Sequence, residues 1–455
     1  EAAKKDSVDT LLEAADLKTE GRAQAVVAVG CMVERHRSEL EQALPEVDLF
    51  LGASEMDRLV PALVDRGLLD DAPVPHPGVR LFSGELPHMR YLKISEGCDH
   101  GCAFCAIPLM RGKHRSTPID ALVREAQTLA DAGVVELNVI SQDTTWYGRD
   151  LLRGTAPAEG DLFVGRTFAA MPNVGSASAR ASARGSLVEA ATPRPRPGSV
   201  PSAAVPATRR GLLPELLTAL LAETSIPWLR LFYMYPSGIS RELVETIARE
   251  PRIVSYLDMP IQHGADAVLT RMRRPERQAT IRERVAWLRD SIPDLSLRTT
   301  LIVGFPGETE DDFEQMLELL EEIRFDHLGA FPYSREESTP AATMSDAVPD
   351  AVTRERLERL LELQRSITLE RNERWLGRET IVLLDRLVGR ESDMAAASER
   401  GAVGRTVGQA LEIDGVVHIT DAGDAQSGDF VRARIVEALD DDLVATVIGT
   451  GEEAA

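Results

Sequence analysis

The 455-residue sequence predicts an α/β protein: a partial parallel barrel, preceded by a truncated α/β unit and followed by a small all-β barrel. Three observations carry that expectation. Short apolar runs alternate with amphipathic stretches through the middle of the chain, the pattern of parallel strands joined by helices. Three of the four cysteines, Cys98, Cys102 and Cys105, share one short loop directly after the first of those runs. Beyond about Trp375 the texture changes to alternating runs separated by glycines, which suits a small barrel related to oligonucleotide-binding folds.

The elements follow in order. An apolar run at 25–29 leads into Gly30-Cys31-Met32, and Tyr91-Leu92-Lys93-Ile94 reads as a strand entering the cysteine loop. After the loop, Ser116-Thr117-Pro118 offers a helix cap with proline at the first helical position. Strand-like runs continue at 135–140, 228–233, 255–259, 297–303 and 328–331, with helical stretches such as 239–248 and 310–323 between them. Six such units imply an open parallel barrel, whose chemistry belongs where strands give way to their following loops. A helix at about 354–375 then leads to strands at 380–388, 416–420, 429–435 and 443–448. The expected division is a remnant unit at 1–72, a linker at 73–88, the barrel at 89–372 and the terminal all-β domain at 373–450. One stretch departs from this pattern. Residues 151–210 hold seven prolines, eight arginines, no lysine and three acidic residues, a composition that cannot build a packed core and reads as a basic, low-complexity insert.

The cysteines carry the chemistry. In Cys98-Asp99-His100-Gly101-Cys102-Ala103-Phe104-Cys105, three thiolates on one loop match three corners of a cubane iron–sulfur cluster and leave the fourth iron free to bind substrate. On the residues alone, a zinc ion closed by His100 or His114 stays open as the alternative. Four cysteines in a long chain without a secretory segment point to a reducing cytoplasm rather than to disulfides. Polar residues directly after strands, Ser141, Gln142, Asp143 and Gln262, stand at the catalytic rim, and Gly304-Phe305-Pro306-Gly307 is a tight strand-end turn. His263 takes a rim position with no proton-transfer role, and the sequence assigns no catalytic acid or base. Arg111, Lys113 and Arg115 read as solvated charge by default, with contact to an acidic substrate group as the sharper alternative.

The Cys-x3-Cys-x2-Cys spacing with Phe104 before the last cysteine resembles the radical S-adenosylmethionine enzymes. Four further strings, Ser141-Gln142-Asp143-Thr144, Met259-Pro260-Ile261-Gln262-His263-Gly264, Met272-Arg273-Arg274-Pro275 and Val303-Gly304-Phe305-Pro306-Gly307-Glu308, are similar to the methylthiotransferases among them. The tRNA-modifying branch of that family usually carries Gly-Gln-Asn-Val at the first string, so the likeness favours the branch acting on an aspartate of small-subunit ribosomal protein twelve. The resemblance implies a [4Fe-4S] cluster on Cys98, Cys102 and Cys105, and S-adenosylmethionine held against Phe104, Ser141, Gln142, Gln262 and Gly304. It implies further a second, auxiliary [4Fe-4S] cluster for sulfur delivery, of which Cys31 is one ligand, together with an electron-donor protein and a terminal TRAM domain. Two auxiliary-cluster cysteines have no counterpart here, and Glu1 to Ser7 resembles family sequence just after the second of them, which suggests that an amino-terminal portion is missing. A fragment that only binds the ribosome is therefore kept as a reading from another class.

Charge bears on the partner. The chain carries a net −22, and residues 373–455 hold 17 acidic against 8 basic residues. Such a surface steers a basic ribosomal protein better than a phosphate backbone. No run is long and apolar enough to span a bilayer, so no membrane role is expected.

Overall fold

The computed structural model describes residues 2–69, 86–153, 211–388 and 401–451. The expected linker through residue 85 and the insert from 154 to 210 lie outside the described residues.

The amino-terminal unit comprises α1 (Ala2–Thr19), β1 (Val27–Gly30), α2 (Cys31–Ala43), β2 (Leu49–Gly52) and α3 (Leu59–Asp65). Strands β1 and β2 pair in parallel, and Val26, Ala28, Val33, Leu40 and Phe50 form a small core under α1 and α2. Helix α2 begins at Cys31 itself, after Gly30 turns the chain with a φ of 139°. Only glycine adopts that turn readily.

The central unit opens with β3 (Met89–Lys93), β4 (Ser95–Glu96), α4 (Ile107–Arg111), β5 (Arg115–Ser116), α5 (Ile119–Asp131), β6 (Glu136–Ile140) and α6 (Arg149–Leu152). It resumes with α7 (Leu213–Glu223), β7 (Trp228–Leu231), α8 (Arg241–Arg249), β8 (Ile253–Asp258), α9 (Asp266–Arg271), α10 (Gln278–Ser291), β9 (Ser296–Val303), α11 (Glu310–Ile323), β10 (His327–Pro332) and α12 (Asp350–Glu373). Six strands pair in parallel in the order β10-β9-β8-β7-β6-β3, so β3 and β10 are open edges and the barrel is partial, as expected. Leu92, Leu137, Val139, Leu229, Leu231, Leu257, Leu297 and Leu301 face the surrounding helices and are fully buried. At about 25 cal/mol per Å² of apolar surface, this layer is the main source of stability for the unit.

One local expectation changes. Helix α5 starts at Ile119 with Pro118 as its N-cap, and neither Ser116 nor Thr117 caps it. Ser116 is recruited to β5, where it pairs with Ser95, and its hydroxyl accepts from the Gly148 N–H. The Thr117 N–H goes to the Ile94 carbonyl. The pairing of β4 with β5 closes the base of the cysteine loop and outcompetes the cap.

The carboxyl-terminal unit is a closed barrel of β11 (Glu379–Val388), β12 (Gly401–Arg405), β13 (Val417–Ile419), β14 (Phe430–Ala438) and β15 (Leu443–Thr450), in the order β11-β12-β13-β15-β14. It does not stand apart from the parallel sheet. Leu383 and Ala410 pack with Trp228, Phe232, Val254 and Tyr256, so this small barrel fills the lower part of the large one. The loop after β12 supplies the floor: the Val407 carbonyl accepts from Arg230, and the Gly408 carbonyl accepts from Ser296 and lies 2.8 Å from the His327 ring nitrogen.

Candidate active site

The cysteine loop leaves β3 and β4 at the carboxyl end of the sheet. Gly97 makes the entry turn with a φ of +75°, and a Cβ there would stand 2.2 Å from the Lys113 carbonyl oxygen. Cys98 and Cys102 are buried, and Cys105 is half-buried. Backbone N–H groups of His100 and Ile107 point at the sulfurs of Cys98 and Cys105, at 3.4 and 3.5 Å. Burial pushes the Cys98 thiol up to about 12, and burial raises Cys105 as well. Such thiols release their protons only to a strong Lewis acid, so loading the site with iron is coupled to proton loss.

Both histidines weighed as zinc ligands have other work. His100 Nε2 lies 2.7 Å from Asp143 Oδ2, and its ring is stacked 4.2 Å from Tyr235 and 3.8 Å from Trp146. His114 Nε2 lies 3.1 Å from the Ser116 hydroxyl. Among the described residues no three His, Cys, Asp or Glu side chains converge as the ligands of one ion would. A cubane makes no such demand, because each thiolate takes a separate iron. Three thiols on one loop, two of them accepting backbone N–H groups, are a donor set that suits a cluster, and both histidines are engaged elsewhere.

A cation that sequence reasoning did not single out completes the surroundings. Arg274 is 2% exposed, with Nη1 3.9 Å from Cys102 Sγ, Nη2 donating to the Pro260 carbonyl at 2.8 Å and Nε 3.1 Å from Glu276 Oε2. Its guanidinium lies 3.9 Å over the Tyr235 ring, and the Tyr235 hydroxyl is 3.9 Å from Cys102 Sγ. A fixed positive charge beside a thiolate suits a redox cluster. The signal was present in Met272-Arg273-Arg274-Pro275, since an arginine pair directly before proline marks a turn.

The residues expected at the rim occupy distinct places. Ser141 is buried and shares a hydrogen bond with Ser95, while its hydroxyl accepts from the Asp143 N–H. Gln142 leaves a buried Oε1 without a hydrogen-bond partner, an orphan acceptor of the kind that a ligand satisfies. Gln262 has a φ of 72°, a strained value for a side-chain-bearing residue, and is held by backbone bonds to Thr300 and Ile302. Gly304 turns with a φ of +77° and donates its N–H to Glu308 Oε2 at 2.8 Å. A Cβ on it would meet Thr353 Oγ1 at 2.3 Å. His263 is fully buried, accepts from the Ala265 N–H and lies 3.4 Å from Glu308, which also pairs with Arg356. Phe104 packs on the small apolar cluster of Ala103, Met272 and Phe305.

Cys31 lies across a cleft from this loop. The cleft measures about 810 Å³ and is lined by Cys31, Phe104, Cys105 and Met110 among others. Cys31 is half-buried rather than a core residue, and the Arg111 guanidinium is within electrostatic reach of it. The structure thus brings Cys31 and Cys105 to one cleft, while Ser141, Gln142 and Gln262 lie at the ends of the parallel strands.

Comparison with known proteins adds two domain families and a set of relatives. The TRAM domain family matches residues 376–448, and the radical SAM superfamily matches residues 203–320. The ribosomal protein uS12 methylthiotransferase RimO of Anaeromyxobacter sp. (strain K) is 42% identical over 98% of this chain and 83% of its own length. RimO of Geobacter sulfurreducens is 37% identical over 98% of this chain and 87% of its own length. Among solved structures, the cobalamin-dependent S-adenosylmethionine radical enzyme OxsB aligns with a TM-score of 0.44 at 12% identity, covering 80% of this chain and 48% of that one.

Proposed function

The chain belongs to the RimO family of ribosomal protein uS12 methylthiotransferases, and from that we propose that it is a radical S-adenosylmethionine enzyme that places a methylthio group on the β-carbon of a uS12 aspartate. The observation that carries the reading is Cys98, Cys102 and Cys105 together on the loop at the carboxyl end of β3, beside a fully buried arginine. Relatives of the same name at 36–42% identity across almost the whole chain disfavour both the tRNA-modifying branch and a non-catalytic ribosome binder.

When bound, the cluster supplies the electron that cleaves S-adenosylmethionine and so creates the hydrogen-abstracting radical. The residues do the rest. Cys98, Cys102 and Cys105 hold three irons, and Arg274 holds its charge against Cys102 while the Tyr235 ring covers that guanidinium. The His100–Asp143 pair and the Trp146 and Tyr235 rings brace the cysteine loop from the sheet side. Gln142 offers its unpartnered carbonyl oxygen, and the Gly304 turn keeps its backbone free of side-chain bulk; both suit the methionyl and adenosyl ends of the cofactor. The apolar wall of Phe305 and Met272 behind Phe104 keeps water from one side of the loop.

Sulfur supply is the finer question. Cys31 faces the cleft that Cys105 lines, which suits a role on the sulfur side. It is the single cysteine outside the triplet, and one thiolate does not hold a second cubane. The partner is a small-subunit ribosomal protein, and among the described residues no helix is long and apolar enough to cross a membrane. We place the reaction in the cytoplasm, with an external electron donor.

Iron and acid-labile sulfide, measured after anaerobic reconstitution, test the reading. About four of each per chain are expected, with S-adenosylmethionine cleaved to 5′-deoxyadenosine and methionine when reductant is supplied. Zinc in place of iron, or no cleavage of S-adenosylmethionine, would refute it.

A further inference from the structure

Beside the cysteine loop lies a corner of charge that the assigned chemistry leaves unused. Lys93, the last residue of β3, donates to one oxygen of Glu96, and Arg111 of α4 donates to the other at 2.9 Å. Arg111 is also within electrostatic reach of Cys31, and α4, which carries it, packs against α2 of the amino-terminal unit. Arg115 stands opposite Glu96 in the pairing of β4 with β5. Two cations thus hold one carboxylate between them. The other nearby acids are engaged: Asp99 accepts from the His114 N–H, and Asp143 is paired with His100. The Lys93, Glu96 and Arg111 side chains remain 37, 28 and 31% exposed.

Charge decides what this corner could receive. A protein of net −22 repels a carboxylate over most of its surface, so an aspartate can be held only where the local sign is reversed. The competing cation in the sheet, Arg298, is flanked by Asp258 at 2.9 Å and Asp414 at 3.3 Å and offers no net positive charge. The Lys93–Arg111 corner does, and it flanks the cluster loop: Lys93 ends the strand before it and Arg111 ends the helix after it. We infer that Lys93 and Arg111 form the cradle for the carboxylate of the substrate aspartate, and that Glu96 is an internal stand-in that occupies the two cations until the substrate displaces it. The inference rests on the functional reading above and deepens it: the bridge is a specificity device for an acidic side chain beside the cluster loop.

Binding tests this without any cluster. The affinity of the purified full-length chain for fluorescently labelled intact uS12 is measured by anisotropy, with a uS12 version carrying asparagine at the target as reference. The wild-type chain is expected to prefer the aspartate form on the order of tenfold, the worth of one charge-assisted hydrogen bond. Lys93→Met and Arg111→Met each abolish that preference, and Lys93→Arg restores part of it. Glu96→Gln separates a cradle from a structural bridge: removing the stand-in tightens binding of the aspartate form, whereas a merely structural bridge weakens binding as the lysine and arginine variants do. Equal affinity of the wild type for both uS12 forms, or weakened binding by Glu96→Gln in a chain that still unfolds at the wild-type temperature, overturns the inference. A chain that discriminates the two forms yet never cleaves S-adenosylmethionine keeps the cradle and refutes the functional reading instead.

Discussion

A guanidinium with almost no exposed surface must find anionic company, and Arg274 finds it in Glu276 and, with the cluster in place, in Cys102. Replacing it with methionine leaves the buried Glu276 without its counter-charge and with only the Ser237 hydroxyl as a donor, which should destabilise the fold by about 3–5 kcal/mol, read from the denaturant midpoint. The same loss should make the cluster harder to reduce, because a positive charge beside it favours the added electron; a redox titration followed by electron paramagnetic resonance reports the sign. An unchanged potential would mean that Arg274 serves packing alone. Gly304 gives a second prediction at this scale. With φ at +77° and Thr353 Oγ1 2.3 Å from any Cβ, Gly304→Ala should cost about 1–3 kcal/mol and weaken S-adenosylmethionine binding, measured by equilibrium dialysis. The strand-end positions of the triplet cysteines, Gln142, Gln262 and Gly304 are legible in the sequence because each follows an apolar run directly or within a few residues. The contact of Arg274 with Cys102 is not, since it joins residues 172 apart and depends on how α9 folds back.

Elements were legible to the extent that their stabilisation is local. The 310–323 helix appears as read because Thr309 and Asp312 form a capping box at its start, two bonds that the sequence itself specifies. The strands of the large barrel appear within a few residues of their apolar runs, since alternate residues such as Leu137 and Val139 or Leu229 and Leu231 turn to the helices and keep an apolar signature. Strand β12, by contrast, is Gly401-Ala402-Val403-Gly404-Arg405, and two glycines in five residues hide it. The short β4 and β5 pair was equally silent, although it decides how the cysteine loop is held. That dependence is testable. Gly97→Ala places a methyl group 2.2 Å from the Lys113 carbonyl and should displace the loop. The variant is expected to keep its circular dichroism spectrum, because the six-stranded sheet is untouched, and to lose most of its iron after reconstitution. Full iron loading would show that the loop tolerates a different entry turn.

The whole molecule is less modular than its composition suggests. A change of texture near residue 375 reads as a separate domain, yet the small barrel is joined to the large one through a network with no exposed surface. Glu136 on β6 is 2.7 Å from Arg230 on β7 and 2.6 Å from Arg405 on β12, and Arg405 makes two bonds to Asp385 on β11, which His88 approaches at 3.1 Å. Burial by itself would raise the Glu136 and Asp385 carboxyls; the arginines outweigh it, and both are held below the ordinary carboxylate range. The direction fixes the pH dependence. A carboxyl depressed in the folded state contributes its full stability above its unfolded value of about 4 and loses it as pH falls through the lower folded value. The junction should therefore be insensitive to pH between 5 and 8 and should fail in acid below about pH 4, with the Trp228 and Phe430 contact exposed as the barrels part. Tryptophan fluorescence during acid titration follows this. Glu136→Gln should destabilise the protein by about 3–5 kcal/mol at pH 7, since it leaves Arg230 and Arg405 buried with one fewer counter-charge, and should flatten the acid slope. An unaltered slope would place the acid sensitivity elsewhere. Because Val407 and Gly408 form the floor beneath the strands that carry the site, parting the barrels should also lower S-adenosylmethionine affinity in the same pH window, coupling a remote domain to the chemistry through packing.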